Sequence, residues 1–185
     1  MPHTTEKKIY APEPVYASQA EIEEFVGKLS QTLNFSYKDD LWLLASKLNG
    51  TIEIGSSGDE DSQSGSIVVG NTGKFKIFLS PFTSVNRDRF TIAHELGHFF
   101  LHYPIVRAQM RTSDIFRATR FVDENNLEQQ LAEKEANWFA AELLMPRERF
   151  IKYHEKNPES LASEFRVSSQ AISIRKKALR LKDKK

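Results

Sequence analysis

The sequence predicts an α+β fold that is mostly helical, with a small three-stranded antiparallel sheet beside the helix that carries HELGH at residues 94–98. Segments with apolar residues three and four positions apart predict helices on both sides of a short stretch of β-branched and aromatic runs. The 185 residues suit one domain with a small addition. We divide the chain into an N-terminal arm (1–17), a main domain (18–150) and a basic helical C-terminal region (151–185).

The arm is predicted to be extended and partly disordered, because three prolines within residues 2–14 interrupt it and no helical period is present. Ser18 is a candidate N-cap for a first helix, whose apolar residues recur at three and four. A second helix is predicted near residues 38–48, and Asn49-Gly50 ends it.

Three strands are predicted next, because β-branched and aromatic runs replace the helical period at residues 51–54, 66–70 and 74–79. A flexible acidic loop, 55–65, separates the first two runs. The last two runs flank Asn-Thr-Gly, a hairpin signal in which Gly73 can adopt a positive φ. We therefore expect the strands to pair in antiparallel fashion.

Two long helices are predicted after the sheet. The first spans 85–103, with Thr83 or Ser84 as its cap and Pro104 as its end. Apolar residues surround this helix on nearly every side, which is typical of a helix in the core. The second spans about 125–145 and ends before a proline, after a less regular polar stretch.

Composition and charge exclude several classes of protein. The chain has no cysteine, which excludes disulfides and thiolate ligands, so any metal needs histidine and carboxylate ligands. With a net charge of +1, the molecule as a whole is not expected to be attracted electrostatically to nucleic acid or to a membrane surface. The sequence shows no secretory signal and no apolar run of about eighteen residues, so we expect a cytoplasmic protein with no membrane partner.

The HELGH segment places two histidines and a glutamate where a metal-dependent hydrolase needs them. His94 and His98 are four residues apart, so they share a helix face and both imidazoles can reach one tetrahedral zinc ion. Glu95 is turned by about 100° around the helix, where it can accept a proton from water as a general base. Without such a role, each of these polar groups would cost roughly a few kcal/mol on an apolar helix. We therefore predict one zinc ion per chain.

The HELGH segment does not supply a third zinc ligand. His102 continues the same face, but a straight helix places it ~12 Å from His94, too far to share a metal. The metzincin pattern HExxHxxGxxH is not matched, because Leu101 and Pro104 stand at its last two defined positions. The third ligand is therefore expected from another helix.

A glutamate of the second long helix is the better candidate, and the possibilities are Glu128, Glu133, Glu135 and Glu142. We favour Glu135, because it precedes the apolar run that enters the core with that helix. Glu142 lies two turns further on and could orient a ligand histidine. The other two carboxylates, Glu128 and Glu133, are assigned to a solvated face.

Two segments, RFTIAHELGHFFLH (89–102) and EKEANWFAAELLMP (133–146), make the sequence resemble the ImmA/IrrE family of metallopeptidases. The resemblance covers about residues 20–150, and the two segments together are far more specific than HExxH alone. It implies a zinc metallopeptidase domain over residues 18–150, with helices followed by a small sheet before the HELGH helix.

The resemblance also implies roles for individual residues. Zinc would be held by His94, His98 and the glutamate before Ala-Asn, which is Glu135, and Glu95 would be the catalytic base. The implied substrate is a DNA-binding transcriptional repressor of a mobile element or stress response, encoded nearby.

Hydrolysis of an amide also needs a group that stabilises the oxyanion. The residues that could do so are His102, Tyr103, Tyr153 and His154. The sequence does not rank them, and the last two also fit an ordinary helix surface.

The C-terminal region is basic, with eight Lys or Arg against one Asp over residues 166–185. Its apolar pattern predicts two helices separated by a turn at 167–168, as in a helix-turn-helix. The following basic residues could then contact phosphate, and the positions facing bases would be Ser169, Gln170 and Ser173. A similar helical region commonly follows the LLMP segment in the resembling family, so DNA is the less favoured partner.

The sequence therefore predicts a zinc-dependent endopeptidase that cleaves a helix-turn-helix repressor. The alternative is a non-catalytic module that binds a repressor or DNA, or a toxin component of a two-gene module. Glu95 argues against a non-catalytic module, because a structural zinc site needs no base. The oligomeric state is not specified by any feature of the sequence.

Overall fold

The computed structural model describes residues 7–55, 66–119 and 125–181. Its strands are β1 (Ile9–Tyr10), β2 (Gly50–Ile54), β3 (Ser66–Gly70), β4 (Phe75–Leu79) and β5 (Ile115–Thr119). Its helices are α1 (Gln19–Thr32), α2 (Leu41–Lys47), α3 (Val85–Gly97), α4 (Tyr103–Arg107), α5 (Leu127–Leu144), α6 (Arg147–Tyr153), α7 (Pro158–Phe165) and α8 (Ser169–Ala178). A π-helical segment, His98–His102, joins α3 to α4. Nearly all of the predicted acidic loop lies outside the described residues.

Short polar side chains cap the helices where the sequence places them. Ser18 forms a capping box with Glu21 at the start of α1, and Ser84 caps α3. Ser168 caps α8, so the predicted turn before the last helix is confirmed. Each cap satisfies a backbone N–H that the first helical turn leaves without a partner.

The α+β class is confirmed, but the sheet is larger than predicted. It has five strands in the order β1-β5-β3-β4-β2. The hairpin of β3 and β4 is antiparallel as expected, with Gly73 at a φ of +83°. However, β2 lies parallel to β4, while β5 adds to β3 in antiparallel fashion and β1 runs parallel to β5. The two added strands, β1 and β5, are short and are flanked in the sequence by polar residues. They pair with segments that are distant along the chain.

The prediction that Pro104 ends the HELGH helix is wrong. Helix α3 ends at Gly97, and in the π-helical segment the Tyr103 N–H donates to the carbonyl of His98, five residues back. The proline then lies in the first turn of α4, where proline is tolerated better than in the interior of a helix. The chain therefore continues through Pro104 as a helix.

Helix α3 lies very close to α5 at Gly97. A Cβ atom at Gly97 would be 3.1 Å from the Cα and the carbonyl oxygen of Ala136 and 3.2 Å from the Cβ of Phe139. Those distances are shorter than normal carbon contacts, so glycine permits the approach of the two backbones. This contact brings the polar face of α5 to the HELGH helix.

Gly97→Ala is expected to lower the free energy of unfolding of the metal-free protein by about 1–3 kcal/mol, because the methyl group must displace the α5 backbone. Gly27→Ala is the matched control, since Gly27 is exposed on α1 and a Cβ atom there would have nothing within 4 Å. It should raise the same quantity by about 0.5–1 kcal/mol, because alanine favours the helix. Urea denaturation measures both, and equal stabilisation by the two changes would contradict the close approach.

The C-terminal helices are joined to the main domain by a buried ion network around Arg175 of α8. The Arg175 guanidinium donates to carboxylates of Glu142 on α5 and Glu23 on α1, and its Nε donates to the carbonyl of Met145 at 3.2 Å. Glu142 also accepts from the backbone N–H of Arg147 at 3.1 Å. Arg175 is therefore a structural residue, in contrast to the predicted phosphate contact of the basic residues in this region.

Arg175→Met is expected to lower the free energy of unfolding by about 3 kcal/mol, because it leaves the Glu142 carboxylate without its cation at a buried site and leaves Glu23 with Arg147 alone. Lys177→Met is the control, since Lys177 is exposed on the same helix, and it should change the stability by at most about 0.5 kcal/mol. Thermal or urea unfolding provides the comparison. A similar small effect of both changes would show that the network does not hold α8 in place.

The described part of the N-terminal arm, residues 7–17, lies against the main domain. The Lys8 N–H donates to Asp114 at 3.1 Å, and β1 extends the sheet beside β5. Val15 and Ala17 donate backbone N–H groups to Glu135 on α5. The division of the chain into arm, main domain and C-terminal region at residues 17 and 150 stays a prediction. No helix among the described residues is long and apolar enough to cross a membrane.

Candidate metal centre

Three side chains from two helices converge at the close contact between α3 and α5. His94 and His98 come from the HELGH segment, and Glu133 comes from the second turn of α5. Glu133 Oε2 lies 3.2 Å from His94 Nε2, and Glu133 Oε1 lies 3.1 Å from His98 Nε2. The two Nε2 atoms are 3.1 Å from each other. The potential ligand atoms of these residues all lie within 4.8 Å of one another.

The spacing of these atoms fits a tetrahedral zinc ion. Ligand atoms about 2.0–2.1 Å from zinc at tetrahedral angles are separated by roughly 3.3 Å. The observed separations of 3.1–3.2 Å are close to that value. Two imidazoles and one carboxylate are also the donor set of a common class of catalytic zinc site, which leaves a fourth position open. The residues present could therefore hold a zinc ion.

The carboxylate that contacts His94 and His98 belongs to Glu133, whereas Glu135 was predicted as the third zinc ligand. Residues two positions apart on an α-helix point about 200° apart, so the two carboxylates reach different partners. Glu135 is fully buried and faces His102, whose Nε2 is 3.1 Å from its Oε2. The assignment of Glu133 to a solvated face is wrong, since its side chain is only 21% exposed.

A signal for Glu133 was present in the sequence. Glu133 and Asn137 are four residues apart and therefore share one face of α5. Asn137 Oδ1 lies 3.1 Å from His94 Nδ1, so this face contacts His94 on both sides of its ring. Ala136, on the same side, fits against Gly97. The polar pair at i and i+4 beside a small residue marks the face of α5 that packs on the HELGH helix.

Hydrogen bonds fix which nitrogen of His94 faces the centre. The Oδ1 atom of Asn137 can only accept, so the Nδ1 of His94 carries the proton and donates. In the neutral ring that a metal ligand requires, the lone pair of His94 is therefore on Nε2, the atom that faces Glu133. His98 has its Nδ1 2.9 Å from the Nδ1 of His102, and its Nε2 also faces Glu133.

The charges around the centre favour a cation. Burial raises the pKa of Glu133, but its close contacts with the imidazoles of His94 and His98 outweigh burial and hold that pKa well below its usual range. Burial lowers the pKa of His98. Burial also lowers the pKa of His94, but the hydrogen bond to Glu133 and the charge of Glu95 raise it overall. The carboxylates of Glu133 and Glu95 thus place negative charge beside the imidazole nitrogens, where a metal cation would bind.

Glu95 is buried on α3 next to these ligands, with 1% of its surface exposed. Its charge acts on the neighbouring ring of His94. It points about 100° away from His94 and about 60° away from His98 around the helix, so it is beside the centre and not among its three converging groups. This is the placement expected for a general base.

The residues considered for the oxyanion have other partners. His102 is buried between His98 and Glu135, and the Tyr103 hydroxyl donates to the carbonyl of Gly70 at 2.9 Å. His154 Nδ1 lies at the carbonyl of Ile151 on α6. Lys152 and Lys156 approach the ring of Tyr153. The choice of an oxyanion-stabilising residue stays open.

A cleft of about 630 Å³ lies between the first half of α3, the middle of α5 and α8. Phe90, Trp138 and Ile174 supply apolar walls, and the exposed fraction of Ile174 is 61%. Thr91 and Asn137 also line it, so the cleft reaches the residues beside His94. A polypeptide side chain could be held there next to the centre.

The matched family model is described as IrrE N-terminal-like domain, Peptidase_M78, and it covers residues 70–177, more than half of the chain. The chain belongs to this family. The resemblance inferred from the HELGH and EKEANWFAAELLMP segments is thereby confirmed. The matched region contains the histidines and Glu133 and continues through most of α8. Family membership supports a metallopeptidase-like domain.

The fold is similar to the solved structure of a Mycobacterium tuberculosis transcriptional regulator, with a TM-score of 0.55. The two chains are 15% identical, and the match covers 82% of this chain and 45% of that one. At this identity the likeness shows a common fold alone, and the chain spans less than half of that regulator. No curated protein matches the chain.

Proposed function

We propose that this protein is a zinc-dependent endopeptidase in which His94, His98 and Glu133 hold the metal and Glu95 is the general base. The observation that carries the proposal is that the Nε2 atoms of His94 and His98 lie 3.1 Å apart, each within 3.1–3.2 Å of one oxygen of Glu133, with Glu95 buried beside them. Glu133 replaces Glu135 in the ligand set that the resemblance implied. Membership of the peptidase family supports the same interpretation.

The protein's own residues provide the proton transfers of peptide hydrolysis. A bound zinc ion supplies Lewis acidity toward the scissile carbonyl and the attacking water. Glu95 takes a proton from that water as it attacks the carbonyl carbon. It then delivers the proton to the leaving amine, which departs with the C–N bond pair. Asn137 keeps the Nδ1 proton of His94 in place during these steps.

The proposed substrate is a helix-turn-helix repressor of the cytoplasm, encoded near this protein. The apolar cleft beside the centre supports a polypeptide substrate, because it offers a site for a side chain flanking the cut bond. The resemblance to the ImmA/IrrE family supports a repressor in particular. A structural neighbour that is a transcriptional regulator agrees with a role in transcription.

Incubation of the zinc-loaded protein with the repressor encoded beside it tests this proposal. We expect one defined cut, seen by intact mass spectrometry, and no cut after treatment with a zinc chelator. Addition of zinc should restore cleavage. A repressor that stays intact with fully loaded protein, at equimolar concentration and over hours, would rule out this substrate.

DNA binding by the C-terminal helices is a second candidate. Ser169 and Ser173 are exposed on α8, as a recognition helix requires. Gln170 instead lines the cleft, and Arg175 is buried. A gel shift of the full chain at about 50 and 200 mM salt tests this candidate, since phosphate contacts weaken steeply with salt. Absence of any shift at the lower salt concentration would exclude it.

A further inference from the structure

Two ionisable side chains behind the centre are completely buried without belonging to its triangle of ligands. His102 and Glu135 each have 0% of their surface exposed, and they contact each other at 3.1 Å. A buried pair of this kind is often no more stabilising than apolar residues of similar volume. Its presence therefore calls for a reason beyond the stability of the fold.

The carboxylate of Glu135 sets the direction of a chain of hydrogen bonds. Both oxygens of Glu135 accept backbone N–H groups, from Val15 and Ala17, so the Nε2 of His102 acts as a third donor to it. The other nitrogen of a neutral His102, Nδ1, is then an acceptor. It lies 2.9 Å from the Nδ1 of His98, which must donate. The lone pair of His98 is consequently on Nε2, the atom facing Glu133.

The neutral state that this chain requires of His102 agrees with its surroundings. His102 has 0% of its surface exposed, and such burial disfavours a charge on its ring. A neutral ring has one donor and one acceptor nitrogen, as the chain of hydrogen bonds demands.

The N-terminal arm holds Glu135 in place from the other side. Glu135 Oε2 accepts the Val15 N–H at 3.0 Å, and Oε1 accepts the Ala17 N–H at 3.1 Å. With the bond from His102, three donors orient one carboxylate. A carboxylate held by three donors can in turn hold the imidazole ring of His102 in one orientation.

The π-helical segment His98–His102 brings the two rings together. Its wider turn contains both histidines, and their ring centroids are 5.0 Å apart. Segments of this kind often occur at functional sites, where they re-aim side chains. The irregular turn thus connects the last residue of the HELGH motif to Glu135.

We propose that His102 and Glu135 are positioning residues that hold the Nε2 of His98 toward the metal, with Glu135 itself fixed by the N-terminal arm. This inference rests on the metal site proposed above. It extends that site from three ligands to a buried chain of hydrogen bonds that ends on the backbone of residues 15 and 17.

The test compares His102→Leu with His102→Gln. Leucine removes both hydrogen bonds, and we expect zinc to bind 10–100-fold more weakly, roughly the loss typical for a partner of a ligand histidine. Glutamine can accept from His98 through its amide oxygen and donate to Glu135 through its amide nitrogen. It should keep zinc affinity within about threefold of the wild type, because the same partners are satisfied. Competition with a chromophoric chelator measures the affinities.

A second readout separates positioning from general stability. The visible spectrum of the cobalt(II)-loaded protein reports ligand geometry, and we expect it to change in His102→Leu but not in His102→Gln. Glu135→Gln should also weaken zinc binding by about tenfold or more. Glu128→Gln is its control, since Glu128 lies on the same helix and accepts from the Tyr16 hydroxyl of the same arm. That variant should bind zinc as the wild type does.

Equal zinc affinity of the wild type, His102→Leu and Glu135→Gln would overturn the inference. So would a glutamine variant as weak as the leucine variant, because the direction of the hydrogen bonds would then be irrelevant. If His102→Leu does not fold without metal, the comparison of Glu135→Gln with Glu128→Gln decides the question. A wild-type protein that binds no zinc would overturn the proposed function as well, whereas zinc binding with unchanged variants overturns the inference alone.

Discussion

Glu133→Ala is expected to reduce zinc in the purified protein from about one ion per chain to a small fraction of that. The carboxylate of Glu133 is 3.1–3.2 Å from the Nε2 atoms of both histidines, so its loss leaves only two ligands. Because loss of a residue that merely orients a ligand costs 10–100-fold in affinity, we expect loss of a ligand to cost more than about 100-fold. Elemental analysis after gel filtration measures the zinc content.

Glu128→Ala is the matched control for this change. Glu128 lies on the same helix, and its carboxylate accepts from the exposed Tyr16 hydroxyl away from the histidines. Full zinc should remain in that variant. Retention of zinc in Glu133→Ala, together with its loss in Glu135→Ala beyond about 100-fold, would instead restore Glu135 as the third ligand.

Glu95→Gln is expected to slow cleavage of the repressor by about 10²–10⁴-fold, the usual contribution of a general base. Glutamine has the shape of glutamate but cannot accept and release the proton of the attacking water. Zinc content and the unfolding transition should stay close to those of the wild type, because Glu95 is not among the three converging ligands. The rate of repressor cleavage, followed by gel or mass spectrometry, gives the result.

Glu53→Gln serves as a control for the loss of one negative charge, since Glu53 is a half-exposed residue of β2 in an ion pair with Lys76. It should cleave at the wild-type rate. A Glu95→Gln protein that also cleaves at that rate would show that another group takes the proton. A Glu95→Gln protein that has lost its zinc would show that Glu95 supports the metal site itself.

The elements of the fold that depend on nearby residues were predictable. Helix α1 begins after the expected Ser18, α3 after Ser84, one of its two candidate caps, and α8 after the turn expected at 167–168, because a cap depends on contacts within one turn. The β3–β4 hairpin was predictable for the same reason, from a tight turn around Gly73. Strands β1 and β5 were missed, because their pairing brings together residues about 100 positions apart.

The residues of the metal centre likewise include some that local spacing predicts and one that it does not. His94, Glu95 and His98 follow from helical spacing within five residues, so the sequence by itself determined two ligand candidates and the base candidate. The third carboxylate comes from another helix, and the choice between Glu133 and Glu135 depends on which face of α5 turns toward α3. The spacing of Glu133, Ala136 and Asn137 marks one face of α5, but the contact of Gly97 with Ala136, between distant residues, is what turns that face toward α3.

The sequence by itself determined the α+β class, the helix caps, the HELGH face and a family resemblance, because each depends on short periodic patterns. Tertiary structure alone decided that Glu133 meets the histidines, that Glu135 lies behind them with His102, and that Arg175 is buried in an ion network. The physical reason is the close packing of α3 on α5. The rotation of α5 about its axis in that contact decides which residues each of its polar side chains meets.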